Sequence, residues 1–258
     1  MAQFDTFIQD LALKAGRVLT RNFGKAKVVR RKRHPADVVT EADLAAEKLI
    51  VSAIRKRFPT HGIISEELGQ ERSSAEYVWY IDPLDGTFSF SRGTPVFCTM
   101  IGLAYKNQPI LATIFDPNLD RLYFAKRGHG AFLNGARIRC STQKTWAYSY
   151  GVGASNLRRP ETVAYMERLL QYAKKVPFWM GSFGSIGLTA GYVACGARDW
   201  FGTAKSSAWE APTMALLLQE SGCLVSNSIG RPWKLGDISI FASNKYLHSQ
   251  LMRIVRGL

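Results

Sequence analysis

The chain has 258 residues, 47% of them hydrophobic, which is enough for one large α/β domain or two small packed ones. No apolar run reaches about eighteen residues, which excludes a membrane-spanning helix. Lysine and arginine outnumber aspartate and glutamate by 34 to 20, a net charge of +14, so the surface favours anionic partners over cationic ones.

Residues 1–16 carry an early Asp5 and lack the charged-then-apolar order of a signal peptide, so a cytoplasmic protein is expected. Phe4, Phe7, Ile8, Leu11, Ala15, Val18 and Leu19 recur at helical spacing and predict an amphipathic helix over 4–22, stopped by Asn22 and Gly24. The densest basic run follows, with Lys25, Lys27, Arg30, Arg31, Lys32 and Arg33. It reads as a solvated loop or edge strand, with contact to RNA or another polyanion as the alternative; no zinc-finger, RRM or KH signature accompanies it. Thr40-Glu41-Ala42-Asp43 is a capping-box start for a second helix, with Ala46, Leu49, Ile50, Ala53 and Ile54 as its apolar face. Asp43 is assigned here to the third position of that box.

The middle of the chain is strand-rich. Residues 77–81 form a short apolar strand running into Asp82, and 96–105 with 110–115 read as an antiparallel hairpin around Lys106-Asn107-Gln108. Residues 121–125 supply a third strand after the turn at 116–120. Residues 140–146 look like a connection, and helices are predicted over 186–197 and 212–221, with Gly222 as a C-cap. This mixture predicts a layered α/β fold forming a single unit over 1–258, which divides, if at all, into halves 1–140 and 141–258.

The informative feature is the placement of acids in a basic chain. Ile81-Asp82-Pro83-Leu84-Asp85-Gly86-Thr87 sets two carboxylates three residues apart at a strand end, where a tight turn could aim both into one cleft. Close, dehydrated carboxylates repel unless a cation lies between them, and hard cations such as Mg²⁺ take oxygen ligands. Gly86 and Thr87 follow at a helix start and could offer N–H groups to a phosphate. Alone, the segment serves equally as a surface Asx turn. Further acids stand at Glu66 and Glu67, at Asp37, and at Glu210 before an apolar helix.

Taken in order, these segments resemble the inositol monophosphatase superfamily. The family patterns D-x-V-T-x-x-D, G-E-E, W-x-I-D-P-[IL]-D-G-T-x-x-F-x-x-G-x-P and W-D-x-A are matched by segments 37–43, 65–67, 79–95 and 209–212. Residues 128–135 and the Gly184-Ser185 segment with 191–196 add to the likeness, which spans most of the chain. The resemblance implies an alternating α-β-α-β-α sandwich of the sugar-phosphatase type, a homodimer, and hydrolysis of a small phosphorylated metabolite with two or three Mg²⁺ ions. It assigns Glu66, Asp82, Asp85, the Leu84 carbonyl and Glu210 to the metals. It assigns Gly86, Thr87, Gly184, Ser185, Thr203 and Lys205 to the substrate. It gives water activation to Glu66 and to Thr87 linked to Asp37.

Two positions depart from the pattern: Ser65 replaces Gly, and Glu210 replaces Asp, one methylene longer. Thr203 stands where relatives that prefer inositol phosphates carry an acid, unless Asp199 takes that role, and Lys205 would favour a second anionic group on the substrate. The substrate therefore stays open among an inositol monophosphate, a sugar bisphosphate such as fructose 1,6-bisphosphate, histidinol phosphate and 3′-phosphoadenosine 5′-phosphate. A dual-role or non-catalytic protein that binds RNA or transcription machinery is the competing reading. The four cysteines (Cys98, Cys140, Cys195, Cys223) lack metal-ligand spacing and read as reduced thiols. The four histidines read as surface or structural.

Overall fold

The computed structural model describes residues 2–32, 36–153 and 159–256. Helix α1 (Ala2–Asn22) leads into an antiparallel pair of an exposed strand β1 (Val28–Arg31) and a buried strand β2 (Val38–Thr40). Thr40 then caps α2 (Glu41–Arg57). Its hydroxyl accepts from the Asp43 N–H while the Asp43 carboxylate accepts from the Thr40 N–H, so the predicted capping box forms.

Next come β3 (Gly62–Ser65), β4 (Gly69–Glu71), β5 (Tyr77–Asp85) and the short helix α3 (Thr87–Ser91). The meander β6 (Cys98–Tyr105), β7 (Gln108–Asp116), β8 (Arg121–Lys126), β9 (Gly130–Leu133) and β10 (Ala136–Ile138) follows. These strands make one eight-stranded sheet in the order β10-β9-β8-β7-β6-β5-β3-β4, antiparallel except where β3 joins β5.

The rest of the chain alternates: β11 (Tyr150–Gly153), α4 (Pro160–Ala173), β12 (Trp179–Gly181), α5 (Ile186–Ala194), β13 (Trp200–Thr203), α6 (Ala211–Glu220), β14 (Leu224–Ser226), β15 (Ile240–Ser243) and α7 (His248–Val255). Its strands form a five-stranded sheet, β12-β11-β13-β15-β14.

The layers follow from which faces are apolar. Helices α1 and α2 cover one face of the large sheet, α5 and α6 lie between the sheets, and α4 and α7 cover the far face of the small one. Ile8, Leu19, Ile50, Ile54 and Trp79 fill the first interface, Met100, Ile114, Met214 and Leu217 the second, and Tyr165, Trp200, Phe241 and Leu251 the third. Each such burial contributes about 1.5–3 kcal/mol. The result is the expected α-β-α-β-α sandwich. The predicted helix at 186–197 stops at Ala194, because the chain turns through Gly196 at φ +77°. Helix α7 escaped the sequence reading because eight residues give too few turns for a helical period to register.

The histidines are structural where they are described and buried. His61 stacks on Phe58 and Tyr77 and accepts from the Trp79 indole N–H. His248 lies between the Ser226 and Ser243 hydroxyls. His34 and Arg33, the end of the basic run, fall outside the described residues.

Candidate active site

In a regular strand, residues three apart point to opposite faces. Strand β5 takes three steps from Asp82, paired with Met100, to Asp85, paired with Cys98, while β6 takes two. The extra residue is a β-bulge, and it brings Asp82 and Asp85 to one side. Pro83, which has no N–H for the ladder, occupies the bulge. The predicted turn therefore comes later than expected, at Gly86 with φ +90°. A Cβ there would lie 2.7 Å from the Val96 carbonyl, so only glycine lets the chain leave the strand into α3.

Asp85 is fixed from the second half of the chain. Its Oδ2 accepts from Ser185 Oγ at 2.5 Å and the Gly187 N–H at 2.7 Å, and its Oδ1 accepts from the Ile186 N–H at 3.2 Å. The carboxylate thus sits on the first turn of α5, where the free N–H groups and helix dipole favour negative charge. Ser185, expected to touch substrate, lines the cleft described below, and its hydroxyl also donates to Asp85 and accepts from the Leu188 N–H.

Asp82, Asp85 and Glu210 converge from three segments, each offering an oxygen within 4.8 Å of the others. Burial raises all three pKa values, Glu210 to about 7, and mutual repulsion adds to the shift at Asp82 and Glu210. The donors are all oxygen and their charge is uncompensated within the trio, a set that fits a hard cation.

Glu66, the fourth expected metal residue, lies outside that trio. Its Oε1 pairs with Lys32 Nζ at 2.7 Å, and Lys32 also reaches Glu67 Oε1 at 2.7 Å. Arg30 joins Glu67 Oε2 at 2.6 Å. Two cations of the basic run are thus turned onto the acidic segment, while all four residues of β1 remain exposed. Burial, together with the charges of Glu210 and Glu67, outweighs Lys32 and pushes Glu66 up to about 8. Burial opposes the charge of Lys32, but the two glutamates together outweigh it and hold Lys32 above the ordinary lysine value.

One expected pairing is corrected. Thr87 Oγ1 lies 3.0 Å from Asp43 Oδ1 and 2.8 Å from the Leu84 carbonyl, so its partner acid is Asp43, not Asp37. Asp37 contributes its backbone instead, accepting from the Lys32 N–H at 2.7 Å to close the β1–β2 hairpin. Asp43 serves two roles because its two oxygens point different ways: Oδ2 takes the Thr40 N–H and hydroxyl, Oδ1 takes Thr87. Burial raises it to about 6, against those hydrogen bonds.

A cleft of about 240 Å³ opens beside the acids. Asp85 and Glu210 line one part of it, Gly184, Ser185 and Thr203 its wall, and Arg159 and Lys205 also face it. The Thr203 hydroxyl is buried without a hydrogen-bond partner among the described residues. Asp199 does not line the cleft; it is tied to β11 through the Tyr150 N–H at 2.6 Å. Among the described residues, the only acids lining the cleft are Asp85 and Glu210.

Residues 1–258 match the model of the inositol monophosphatase family. The chain belongs to that family. Inositol-1-monophosphatase from Mesorhizobium japonicum is 34% identical over 248 residues, covering 95% of this chain and 93% of its own. A protein named Nus factor SuhB, from Pseudomonas aeruginosa, is also 34% identical, over 252 residues, with 95% and 93% covered. The crystal structure of extragenic suppressor protein suhB from Bartonella henselae superposes with a TM-score of 0.89 at 30% identity, covering 100% of this chain and 99% of that one.

As an inositol monophosphatase family member, the chain is a phosphoric monoester hydrolase by kinship, and its departures from the family pattern become interpretable. Ser65, where Gly is usual, donates its hydroxyl to Glu47 of α2, and Glu47 also accepts the Glu67 and Leu68 N–H groups at 3.2 and 2.9 Å. This buried acid shapes the Glu66–Glu67 turn and was not singled out in the sequence, where it looks like any helix-surface glutamate. Glu210 reaches the other two acids at its greater length while accepting the Ser207 N–H at 2.8 Å. Glu210→Asp withdraws the carboxylate by about one bond, ~1.5 Å. It is expected to raise the half-saturating divalent-cation concentration several-fold. An unchanged value in a phosphate-release titration removes Glu210 from the site.

Proposed function

We propose that this chain is a Mg²⁺-dependent phosphatase for a small phosphate monoester that carries a second anionic group. The observation that supports it is the cleft itself, lined by Asp85 and Glu210 of the converging acid trio and by the cations Arg159 and Lys205. Asp82, Asp85, Glu210, Glu66 and the Leu84 carbonyl would hold the cations. Bound Mg²⁺ supplies a water of lowered pKa and neutralises charge at phosphorus and on the leaving oxygen. The chain's own groups do the rest. Thr87, backed by Asp43, would orient the attacking water together with Glu66. The Gly86 and Thr87 N–H groups, at the start of α3, would hold the phosphate, and no nucleophilic Ser or Cys is required.

The second anion is assigned to Arg159 and Lys205. Arg159 Nη1 donates to the Lys205 carbonyl at 2.7 Å, which ties the Arg159 side chain to the Lys205 backbone, and Lys205 Nζ is 3.3 Å from Glu161. Thr203 can hydrogen-bond a substrate group but brings no charge, and no acid is present at that position to accept from the hydroxyls of a neutral polyol. Charge-assisted hydrogen bonds contribute about 1.5–3 kcal/mol. Arg159→Ala and Lys205→Ala are therefore expected to lower kcat/KM at least tenfold for fructose 1,6-bisphosphate or 3′-phosphoadenosine 5′-phosphate, and little for inositol 1-phosphate. A preference for inositol 1-phosphate, unchanged by Thr203→Val, overturns this reading of the pocket.

A second reading, a polyanion-binding role, is favoured by the exposed strand β1 and by the relative named a Nus factor. Lys25 and Lys27 are exposed there. Lys25→Glu with Lys27→Glu is expected to weaken RNA binding and to flatten its salt dependence by about one unit of slope per lost phosphate contact, with phosphate release intact. Absence of salt-sensitive RNA binding by the unaltered chain at low ionic strength reduces the run to a solvated face.

A further inference from the structure

Two of the four cysteines meet where the two sheets join. Cys140 follows β10 at the edge of the large sheet, and Cys223 precedes β14 at the edge of the small one. The Cys140 N–H donates to the Ser221 carbonyl at 2.9 Å, which locks the two backbone segments side by side. A Cβ placed on Gly222 would lie 3.8 Å from Cys140 Sγ, so that thiol lies over the turn leading to Cys223. Cys140 packs against the same apolar cluster that contains Cys223, and the two thiols lie near enough for each to shift the other's pKa. Cys140 is half-buried and reachable from solvent, whereas Cys223 is buried, with the Ser221 hydroxyl 3.7 Å from its sulfur. Cys98 and Cys195 have other neighbours: Cys98 lies against Asp85 and Ser185, and Cys195 donates to the Tyr192 carbonyl.

We infer that Cys140 and Cys223 are a peroxide-oxidisable dithiol, with Cys140 as the attacking thiol and Cys223 as the resolving one. The chemistry balances within the pair and one hydrogen peroxide. Cys140 Sγ, as thiolate, attacks a peroxide oxygen; the O–O bond breaks, an S–O bond forms, and the leaving hydroxide takes a proton to become water. Cys223 Sγ then displaces the hydroxyl; the S–O bond breaks, the S–S bond forms, and the second water leaves with the Cys223 proton. Two thiols lose two electrons, and one peroxide is reduced to two waters. The environment divides the roles in the same direction. The Cys223 thiol and, to a lesser degree, the Arg139 cation lower the Cys140 thiol, while Cys140 and burial push the Cys223 thiol up. The bridge closes a loop containing α4, α5 and α6, and hence both Arg159 and Glu210, so it restricts the unfolded chain and stabilises the folded one.

The test uses the full chain, treated with hydrogen peroxide, then denatured and titrated for free thiols. Four thiols are expected to fall to two, with a Cys140–Cys223 linked peptide by mass spectrometry, a higher melting temperature, and return of all four after dithiothreitol. Cys223→Ser is expected to give no internal bridge and to send Cys140 on to sulfinic acid. Cys140→Ser, at a half-exposed position, gives the reciprocal result of an unoxidised Cys223 should the buried variant fail to fold. Cys195→Ser should still form the bridge. Four free thiols after treatment, over-oxidation of Cys140 in the unaltered chain, or a bridge involving Cys195 or a second chain overturns the inference.

Discussion

Asp82→Asn is expected to lower phosphate release by about a thousandfold while leaving the chain folded. Asp82 lies at the bulge of β5, fully enclosed, and its charge is opposed by burial and by Glu66, Asp85 and Glu210. Without a cation the charged carboxylate is a burden on the fold, so an amide of nearly the same shape relieves repulsion rather than opening a cavity. The substituted amide would also keep an oxygen able to accept the Leu84 N–H, a bond Asp82 makes at 3.1 Å. What the substitution removes is a negative charge from the cation site, and loss of one preorganised electrostatic partner at a reacting centre costs about a hundred- to a thousandfold. Phosphate release near the unaltered rate, with an unchanged melting temperature, contradicts the assignment of Asp82 to the metals.

The stabilisation conferred by Mg²⁺ should grow steeply with pH, from almost none near about pH 5 to several degrees of melting temperature near about pH 8.5. The acids of the site bind their protons more tightly folded than unfolded. Burial is the leading cause throughout: it raises Asp43 to about 6, Glu210 to about 7 and Glu66 to about 8, and it raises Asp82 and Asp85 as well. An unfolded carboxyl has released its proton once pH passes about 4. Between that point and the folded values the native state holds more protons, so stability contributed by these groups declines as pH rises. Lys32, raised in the opposite sense of charge, keeps its contribution throughout this window, since an unfolded lysine titrates only near about 10.4. A cation that binds the deprotonated acids replaces those protons and cancels the decline. Melting curves in EDTA and in saturating Mg²⁺ across the range check this. A Mg²⁺ effect that is the same at both ends of the range contradicts a carboxylate site that titrates there.

The layers and the strand-borne acids were legible in the sequence because they rest on local signals. The capping box at Thr40–Asp43, the hairpin at Lys106–Gln108 and the Gly222 stop each leave a mark within a few residues. The site was legible only in part. Asp82 and Asp85 stand in one continuous motif, but the bulge that aims them together depends on pairing with β6, which no local pattern records. Asp43 was read as a cap and nothing more, because sequence spacing cannot show that a second oxygen of the same carboxylate faces Thr87 across 44 residues. Arg159 stood next to the proline that opens α4 and resembled any N-terminal flank. Only the fold brings it to the cleft with Lys205. Lys32 belonged to a charge run that reads as solvated, and its pairing with Glu66 and Glu67 is likewise a product of tertiary structure.

The most direct test of the central claim is a Mg²⁺ titration of phosphate release by the purified full chain. The substrates are 3′-phosphoadenosine 5′-phosphate, fructose 1,6-bisphosphate, histidinol phosphate and inositol 1-phosphate, each with a parallel series in EDTA. A Mg²⁺-dependent phosphatase with a cationic substrate rim turns over at least one of the doubly anionic substrates, saturates with Mg²⁺ and falls to background in EDTA. Equal release in EDTA, or no release from any of the four at saturating Mg²⁺, contradicts it.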